Sequence, residues 1–97
     1  MRPAIFRPAA AADIEDAFLW YEAHRDGFGD EFLETVRSAL ESIVRHPESA
    51  PVVHGDIRRQ LLRRFPNGLF YRVADGQVVV LGCLHGRRSP AVWRPGR

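Results

Sequence analysis

Residues 57–73 read IRRQLLRRFPNGLFYRV, and residues 78–88 read VVVLGCLHGRR. Three apolar, strand-like runs alternate in this region with two turn-forming pairs, Asn67-Gly68 and Asp75-Gly76. Such pairs between apolar runs are typical of two-residue β-hairpin turns, although Pro66, next to Asn67, could force a longer loop there. The stretch therefore predicts a three-stranded antiparallel sheet. Its many arginines predict a surface that binds an acidic partner.

Two-residue turns would also fix the register of this sheet. Arg63 would lie opposite Arg72, and Arg72 opposite Val79. One face would be apolar and pack on helices: Leu62, Leu69, Tyr71, Val73, Val78, Val80 and Leu84. The other would stay open: Arg59, Leu61, Arg63, Phe65, Phe70, Arg72, Leu81, Cys83 and His85. Opposed arginines destabilise a sheet, so we expect an acidic group of this chain or of a partner to neutralise them.

Two antiparallel helices are predicted before the sheet, packed on one of its faces. In the first, Pro8 suits the opening turn, although no good N-cap residue precedes it. Its apolar face recurs at helical spacing: Ile14, Ala17, Phe18 and Tyr21. Gly27 and Gly29 should end it near residues 25–26, and a second helix should start around Asp30 and be stopped by Pro47. A short strand over residues 4–7 precedes both helices, and residues 47–56 are predicted to form a connector.

The composition is that of one small globular domain. The chain has 97 residues, of which 45% are hydrophobic. It shows no apolar run long enough to span a membrane and no signal-peptide core, so a cytoplasmic location is expected. Cys83, the single cysteine, suits that compartment and is expected to be a small core residue. Trp20 and Trp93 are expected to be packing residues.

Charge is distributed unevenly along the chain. All fourteen basic residues are arginine. Residues 1–53 have a net charge of −5, whereas residues 54–97 have a net charge of +7. The four histidines, His24, His46, His54 and His85, have no metal-ligand spacing, and no glycine-rich phosphate loop is present. We therefore predict no metal and no cofactor.

The order of elements and several local motifs resemble the RelE/ParE superfamily of bacterial type II toxins. The helices supply Trp20-Tyr21-Glu22 and Gly29-Asp30-Glu31-Phe32-Leu33. The strands supply Ile57-Arg58-Arg59, Phe65-Pro66, Phe70-Tyr71-Arg72-Val73 and Leu84-His85-Gly86-Arg87-Arg88, followed by Pro90 and Trp93. The resemblance covers nearly the whole chain, and it is the ordered set of motifs that is specific.

The resemblance implies a toxin that is bound by a cognate antitoxin. The predicted antitoxin-binding residues are Leu61, Arg63, Phe65, Phe70 and Arg72. The predicted target-binding residues are Arg59, His85, Arg87, Arg88 and Trp93. Direct DNA binding is not expected without the antitoxin, because the predicted second helix is acidic.

The resemblance leaves the target open. RelE-like members cut messenger RNA on the ribosome, and ParE-like members inhibit DNA gyrase by binding. In a nuclease, His85 would serve as acid or base and Arg63 and Arg72 would stabilise the phosphate. However, RelE-like nucleases resemble one another in a basic residue just before the Tyr-bearing strand, where this chain has Gly68, and in a lysine-rich cluster that it lacks. A ParE-like gyrase inhibitor is therefore preferred, with a ribosome-dependent endoribonuclease or a non-toxic member as alternatives.

Overall fold

The computed structural model describes residues 4–85 as two helices and a five-stranded sheet. In chain order these are β1 (Ala4–Phe6), α1 (Pro8–His24), α2 (Phe28–Arg45), β2 (Val52–His54), β3 (Ile57–Leu61), β4 (Asn67–Ala74) and β5 (Gln77–His85). The strand order is β1-β5-β4-β3-β2, with β1 parallel to β5 and the other neighbours antiparallel. The sheet was predicted to have three strands but has five, because β1 joins it and β2 forms inside the predicted connector.

The two helices begin and end within two residues of the predicted positions. Pro8 opens α1, and no side chain caps its first turn. In α2, Asp30 and Glu31 in the first turn and Arg45 in the last turn complement the helix dipole. Gly27 joins the helices with a φ of 84°, a left-handed conformation that glycine adopts without steric cost.

Glu22 of α1 takes the place of the missing N-cap of α2. Its carboxylate accepts hydrogen bonds from the backbone N–H groups of Gly27 and Gly29, both at 3.0 Å. Gly29 also lies against Phe18 of α1, so closely that a Cβ atom there would be 2.9 Å from the Phe18 carbonyl oxygen. The packing of α1 against α2 therefore depends on the Glu22 carboxylate and on the absence of a side chain at Gly29.

The turn between β3 and β4 differs from the predicted one. Asn67 and Gly68 belong to β4, and the chain reverses over residues 62–66, closed by a 2.9 Å bond from the Leu62 N–H to the Asn67 carbonyl. Gly68 pairs with Leu61, the last residue of β3. The prediction that Arg63 opposes Arg72 is therefore wrong, because Arg63 lies in the turn. Pro66 cannot donate a ladder hydrogen bond, which disfavours a tight turn beside it.

The second predicted hairpin is confirmed. Asp75 and Gly76 have φ angles of 54° and 74°, and Arg72 pairs with Val79. A bulge follows, since Tyr71 pairs with Val80 but Phe70 pairs with Gly82. The additional residue, Leu81, reverses the facing of the rest of β5.

The bulge and the longer turn correct four facing predictions, one of them for His85, which was predicted on the open face but shares the facing of Cys83 two residues before it. Cys83 and Phe65, predicted on the open face, are buried in the core between sheet and helices. Leu84, predicted in that core, pairs with Gly68 and shares the opposite face with Phe70. A register argument that assumes ideal pairing fails beyond the first irregularity, because each added residue exchanges the two faces.

The core lies between one face of the sheet and both helices. Four residues predicted to face the helices, Leu69, Tyr71, Val78 and Val80, are buried there together with Cys83, and Phe32 and Ile43 of α2 join them. The Tyr71 hydroxyl donates a 2.7 Å hydrogen bond to the Pro47 carbonyl, which ties the end of the helical hairpin to the sheet. Trp20 does not belong to this core: it is 58% exposed, so its prediction as a packing residue is wrong.

Candidate functional site

A groove of about 610 Å³ lies between α2 and the end of β3. One wall is α2 and the other is β3 with the turn that follows it. The groove is lined by Glu34, Thr35, Ser38, Ala39 and Ser42 on the helix and by Gln60, Leu61, Arg63 and Arg64 opposite. One wall has small side chains, and the other has apolar and cationic side chains. The groove between them has room for a peptide segment.

The helical wall of the groove consists of small side chains. Thr35, Ser38, Ala39 and Ser42 follow the i, i+3, i+4, i+7 spacing of one helix face. The Thr35 hydroxyl donates to the Phe32 carbonyl of its own helix at 2.8 Å, so this buried hydroxyl is already satisfied. Small side chains allow another backbone to approach α2 closely.

The cationic wall is held in place by aromatic packing below it. Phe65 is buried among Tyr21, Phe28 and Phe32, with ring centroids 4.8–5.5 Å apart. The Tyr21 hydroxyl donates a 2.6 Å hydrogen bond to the Asn67 side chain where β4 begins. Burial raises the pKa of Tyr21, and its proximity to Cys83 adds to the rise, so the hydroxyl stays a donor at neutral pH.

The turn that presents the arginines is itself unusual. Arg64 has a φ of 66°, in the left-handed region that non-glycine residues seldom occupy. Leu62 and Phe65, buried on either side of the two arginines, anchor the turn. Arg63 and Arg64 are consequently exposed at the groove while their backbone is fixed.

The five predicted antitoxin-binding residues do not form one surface. Leu61, 53% exposed, and Arg63 line the groove. Phe65 lies in the core beneath the turn, and Phe70 is buried on the sheet face that points away from the helices. Arg72 shares that face with Phe70 and forms an ion pair with Asp56 at 3.3 Å. An acidic group of the chain itself thus lies beside Arg72.

Two of the three predicted nuclease residues, His85 and Arg72, lie far apart along the sheet. His85 pairs with Asn67 at one end of β4, and Arg72 lies five residues further along that strand. At about 3.4 Å per residue, their register positions are roughly 17 Å apart. Arg59, opposite Phe70, lies between them. One phosphate group cannot contact both His85 and Arg72 in this arrangement.

Among the predicted target-binding residues, Arg59 pairs with Phe70 on the sheet face that points away from the helices, whereas His85 has the same facing as Cys83 and is exposed at the end of β5. Arg87, Arg88 and Trp93 lie outside the described residues. Within residues 4–85, no group of three or more His, Cys, Asp or Glu side chains could hold a metal ion. No helix in that range is both long and apolar enough to cross a membrane.

Cys83 shows how the helices hold β5 near its bulge. The Asp13 carboxylate of α1 accepts a 3.0 Å hydrogen bond from the Cys83 N–H. Burial, with a smaller contribution from Asp13, raises the pKa of the Cys83 thiol to about 12. The thiol is therefore neutral and buried, as expected for a core residue rather than a nucleophile.

Comparison with known proteins identifies the family. Residues 4–90 match the family model described as the ParE toxin of the type II toxin-antitoxin system parDE. The chain therefore belongs to the ParE toxin family, which confirms the resemblance found in its sequence. No curated protein matches it significantly in sequence.

A solved structure has the same fold. It is described as the chromosomal ParDE TA system from P. aeruginosa, with a TM-score of 0.64 and 19% identity. The match covers 88% of this chain and 96% of that one. At 19% sequence identity, the similarity shows a shared fold only. That fold extends over nearly the whole of the other chain.

Sequence reasoning missed the helical wall of the groove. Its signal was nevertheless visible, because the face formed by Thr35, Ser38, Ala39 and Ser42 has only small side chains and no charged one, unlike an ordinary solvated face. What the sequence could not show was that the β3–β4 turn would lie beside it.

Proposed function

We propose that this chain inhibits DNA gyrase by binding to it and that a cognate antitoxin neutralises it. The observation that supports binding rather than chemistry is that Arg72, one of the two arginines predicted to stabilise the phosphate, lies roughly 17 Å from His85 along one strand. An RNase that works without a metal needs its acid or base and its phosphate-binding cations around one phosphate. The proposed gyrase-binding residues are Arg59 and His85 with Arg87, Arg88 and Trp93.

The antitoxin is proposed to bind through the groove between α2 and β3. Leu61 offers an exposed apolar side chain there, and Arg63 and Arg64 make that wall cationic. Glu34 of the opposite wall is already bonded to Arg37, so its charge is partly offset. A segment with acidic and apolar side chains therefore fits the groove.

Binding to the antitoxin can be tested by calorimetry with single charge reversals. Arg63→Glu should weaken the complex by about 30-fold or more, because a like charge would then face the acidic segment in a desolvated contact. Arg7→Glu is a matched control: Arg7 is exposed at the start of α1, away from the groove. Unchanged affinity of Arg63→Glu would exclude the groove. A loss confined to Arg72→Glu would move the site to the opposite sheet face.

The target can be tested with two assays run side by side. Purified toxin should inhibit gyrase supercoiling and should leave messenger RNA on ribosomes intact. His85→Ala should not create or remove any cleavage. Site-specific cuts on ribosomes that disappear in His85→Ala would instead establish the endoribonuclease. Inactivity in both assays with intact antitoxin binding would identify a non-toxic member.

A further inference from the structure

The edge of β3 that borders the groove carries backbone groups that face away from β4. In an antiparallel ladder, the N–H and C=O groups of successive residues point alternately to the two sides of a strand. The Arg59 N–H points to the β2 side, where it donates to the Pro51 carbonyl at 3.1 Å, and the Leu62 N–H points to the β4 side, where it donates to the Asn67 carbonyl. Leu61 is two residues from Arg59, so its N–H and C=O also face the β2 side.

Strand β2 stops before it reaches Leu61. Because β2 is antiparallel to β3, the residues that precede it in the chain would have to continue the pairing towards Leu61. Instead, the Ser49 N–H donates to the His46 carbonyl at 3.1 Å, and the Ser49 hydroxyl donates to the same carbonyl at 2.9 Å. These bonds belong to the turn that follows α2. Within residues 4–85, the β2 side of Leu61 is therefore not occupied by a strand.

The groove lies at this edge of β3. Leu61 lines it, and the Leu61 carbonyl accepts a hydrogen bond of 3.3 Å from the side-chain amide of Gln60. This bond is long, so a main-chain N–H at the usual distance of about 2.9 Å would replace it. The α2 side chains across the groove, Ser38, Ala39 and Ser42 among them, are small, so they leave room for a strand beside β3.

We infer that the antitoxin segment binds in the groove as a β-strand that is hydrogen-bonded to β3 at Leu61, in line with β2. The inference rests on the proposed function of the groove and adds the conformation of its partner. The Leu61 N–H donates to a carbonyl of the segment, and the Leu61 carbonyl accepts from one of its N–H groups. This is the mode in which an extended peptide joins the exposed edge of a sheet.

The pairing also determines which side chains the segment carries. The segment residue opposite Leu61 shares its face of the sheet, so an apolar side chain there contacts the exposed Leu61 side chain. The residues on either side of it point towards α2, because side chains alternate along a strand. Arg63 and Arg64 follow the end of β3, so a carboxylate further along the segment lies beside them. The partner is therefore a short extended segment with an apolar residue followed or preceded by an acidic one.

Leu61→Pro tests the pairing, because proline lacks the backbone N–H that donates to the segment. The Leu61 N–H faces away from β4, so its loss leaves the ladder between β3 and β4 intact, and proline is tolerated at such an edge position. Leu61→Ala is the matched control for the lost side chain. In calorimetry with the full-length cognate antitoxin, Leu61→Pro should bind about 10-fold more weakly than Leu61→Ala.

Amide hydrogen exchange of the wild type, followed by NMR, is a second measurement that needs no variant. In the free chain, the Leu61 N–H should exchange at least about 10-fold faster than the Gln60 N–H, which faces β4. Antitoxin binding should remove most of this difference, because both N–H groups are then hydrogen-bonded within the sheet. If Leu61→Pro does not fold, this comparison alone decides.

Equal affinities of the two Leu61 variants would overturn the inference, and so would a Leu61 N–H that still exchanges about 10-fold faster than that of Gln60 in the complex. If Arg63→Glu nevertheless weakens binding, the groove binds the antitoxin in another conformation, such as a helix, and the proposed function stands. If Arg63→Glu has no effect either, the groove itself is excluded as the antitoxin site.

Discussion

Replacing Glu22 tests whether one carboxylate holds the helical hairpin together. Glu22 accepts hydrogen bonds from the backbone of Gly27 and Gly29, at the first turn of α2, which has no side-chain cap of its own. Glu22→Gln keeps the shape of the side chain but removes its charge and one of its two acceptors. Glu22→Ala removes both acceptors.

The expected cost follows from those two bonds. A hydrogen bond to a charged group contributes about 1.5–3 kcal/mol, and this carboxylate is only partly buried, so the lower values apply. Glu22→Gln should therefore lower the free energy of unfolding by about 1.5 kcal/mol and Glu22→Ala by about 3 kcal/mol. For a domain of this size, each kcal/mol lowers the melting temperature by about 4–8 °C.

Thermal and urea denaturation followed by circular dichroism provide the measurement. Glu15→Gln is the control, because Glu15 is an exposed glutamate of the same helix and should change stability by less than about 0.5 kcal/mol. A Glu22→Gln variant as stable as Glu15→Gln would refute the capping role. Loss of helicity in both variants would point to a general effect on α1.

Two further predictions concern the same core. Gly29→Ala should lose about 1–3 kcal/mol in urea denaturation although alanine favours helices, because the added Cβ would lie 2.7 Å from the Phe18 ring and 2.9 Å from its carbonyl oxygen; equal or greater stability would contradict this packing. Cys83 should resist alkylation at pH 8.5 in the folded chain and react once urea unfolds it. Since its folded pKa of about 12 exceeds the unfolded value of 9.0, the stability it contributes is present below pH 9 and should be lost as pH rises towards 12; constant stability over that range would be inconsistent with a buried thiol.

Much of the fold could be predicted because it depends on local signals. Pro8 and Pro47 border the helical region, and the periodicity of Ile14 and Tyr21 identified the first buried face. Asp75-Gly76 specified its hairpin because both residues readily adopt positive φ. These signals act over a few residues, so they can be recognised in the sequence without the tertiary structure.

The rest of the fold depends on contacts between residues that are far apart in the chain. β2 has only three residues, bounded by Pro51 and Gly55, and is a strand because β3 lies beside it. The bulge at Leu81 has no local signature, yet it decides that Cys83 faces the helices. The candidate site follows the same division: Leu61 and Arg63 were predicted from the register of the sheet, whereas the groove they line exists only because α2 lies next to them.

The position of β5 in the sheet determines when this protein can fold during its synthesis. The strand made last of the five lies between β1, which is made first, and β4. Until β5 has left the ribosome, β1 has no neighbour to pair with, and Leu69 and Tyr71 have no Val80 or Cys83 beside them. Because the sheet closes through contacts between distant parts of the chain, its folding is completed only after translation has passed His85. The nascent chain therefore has no finished sheet.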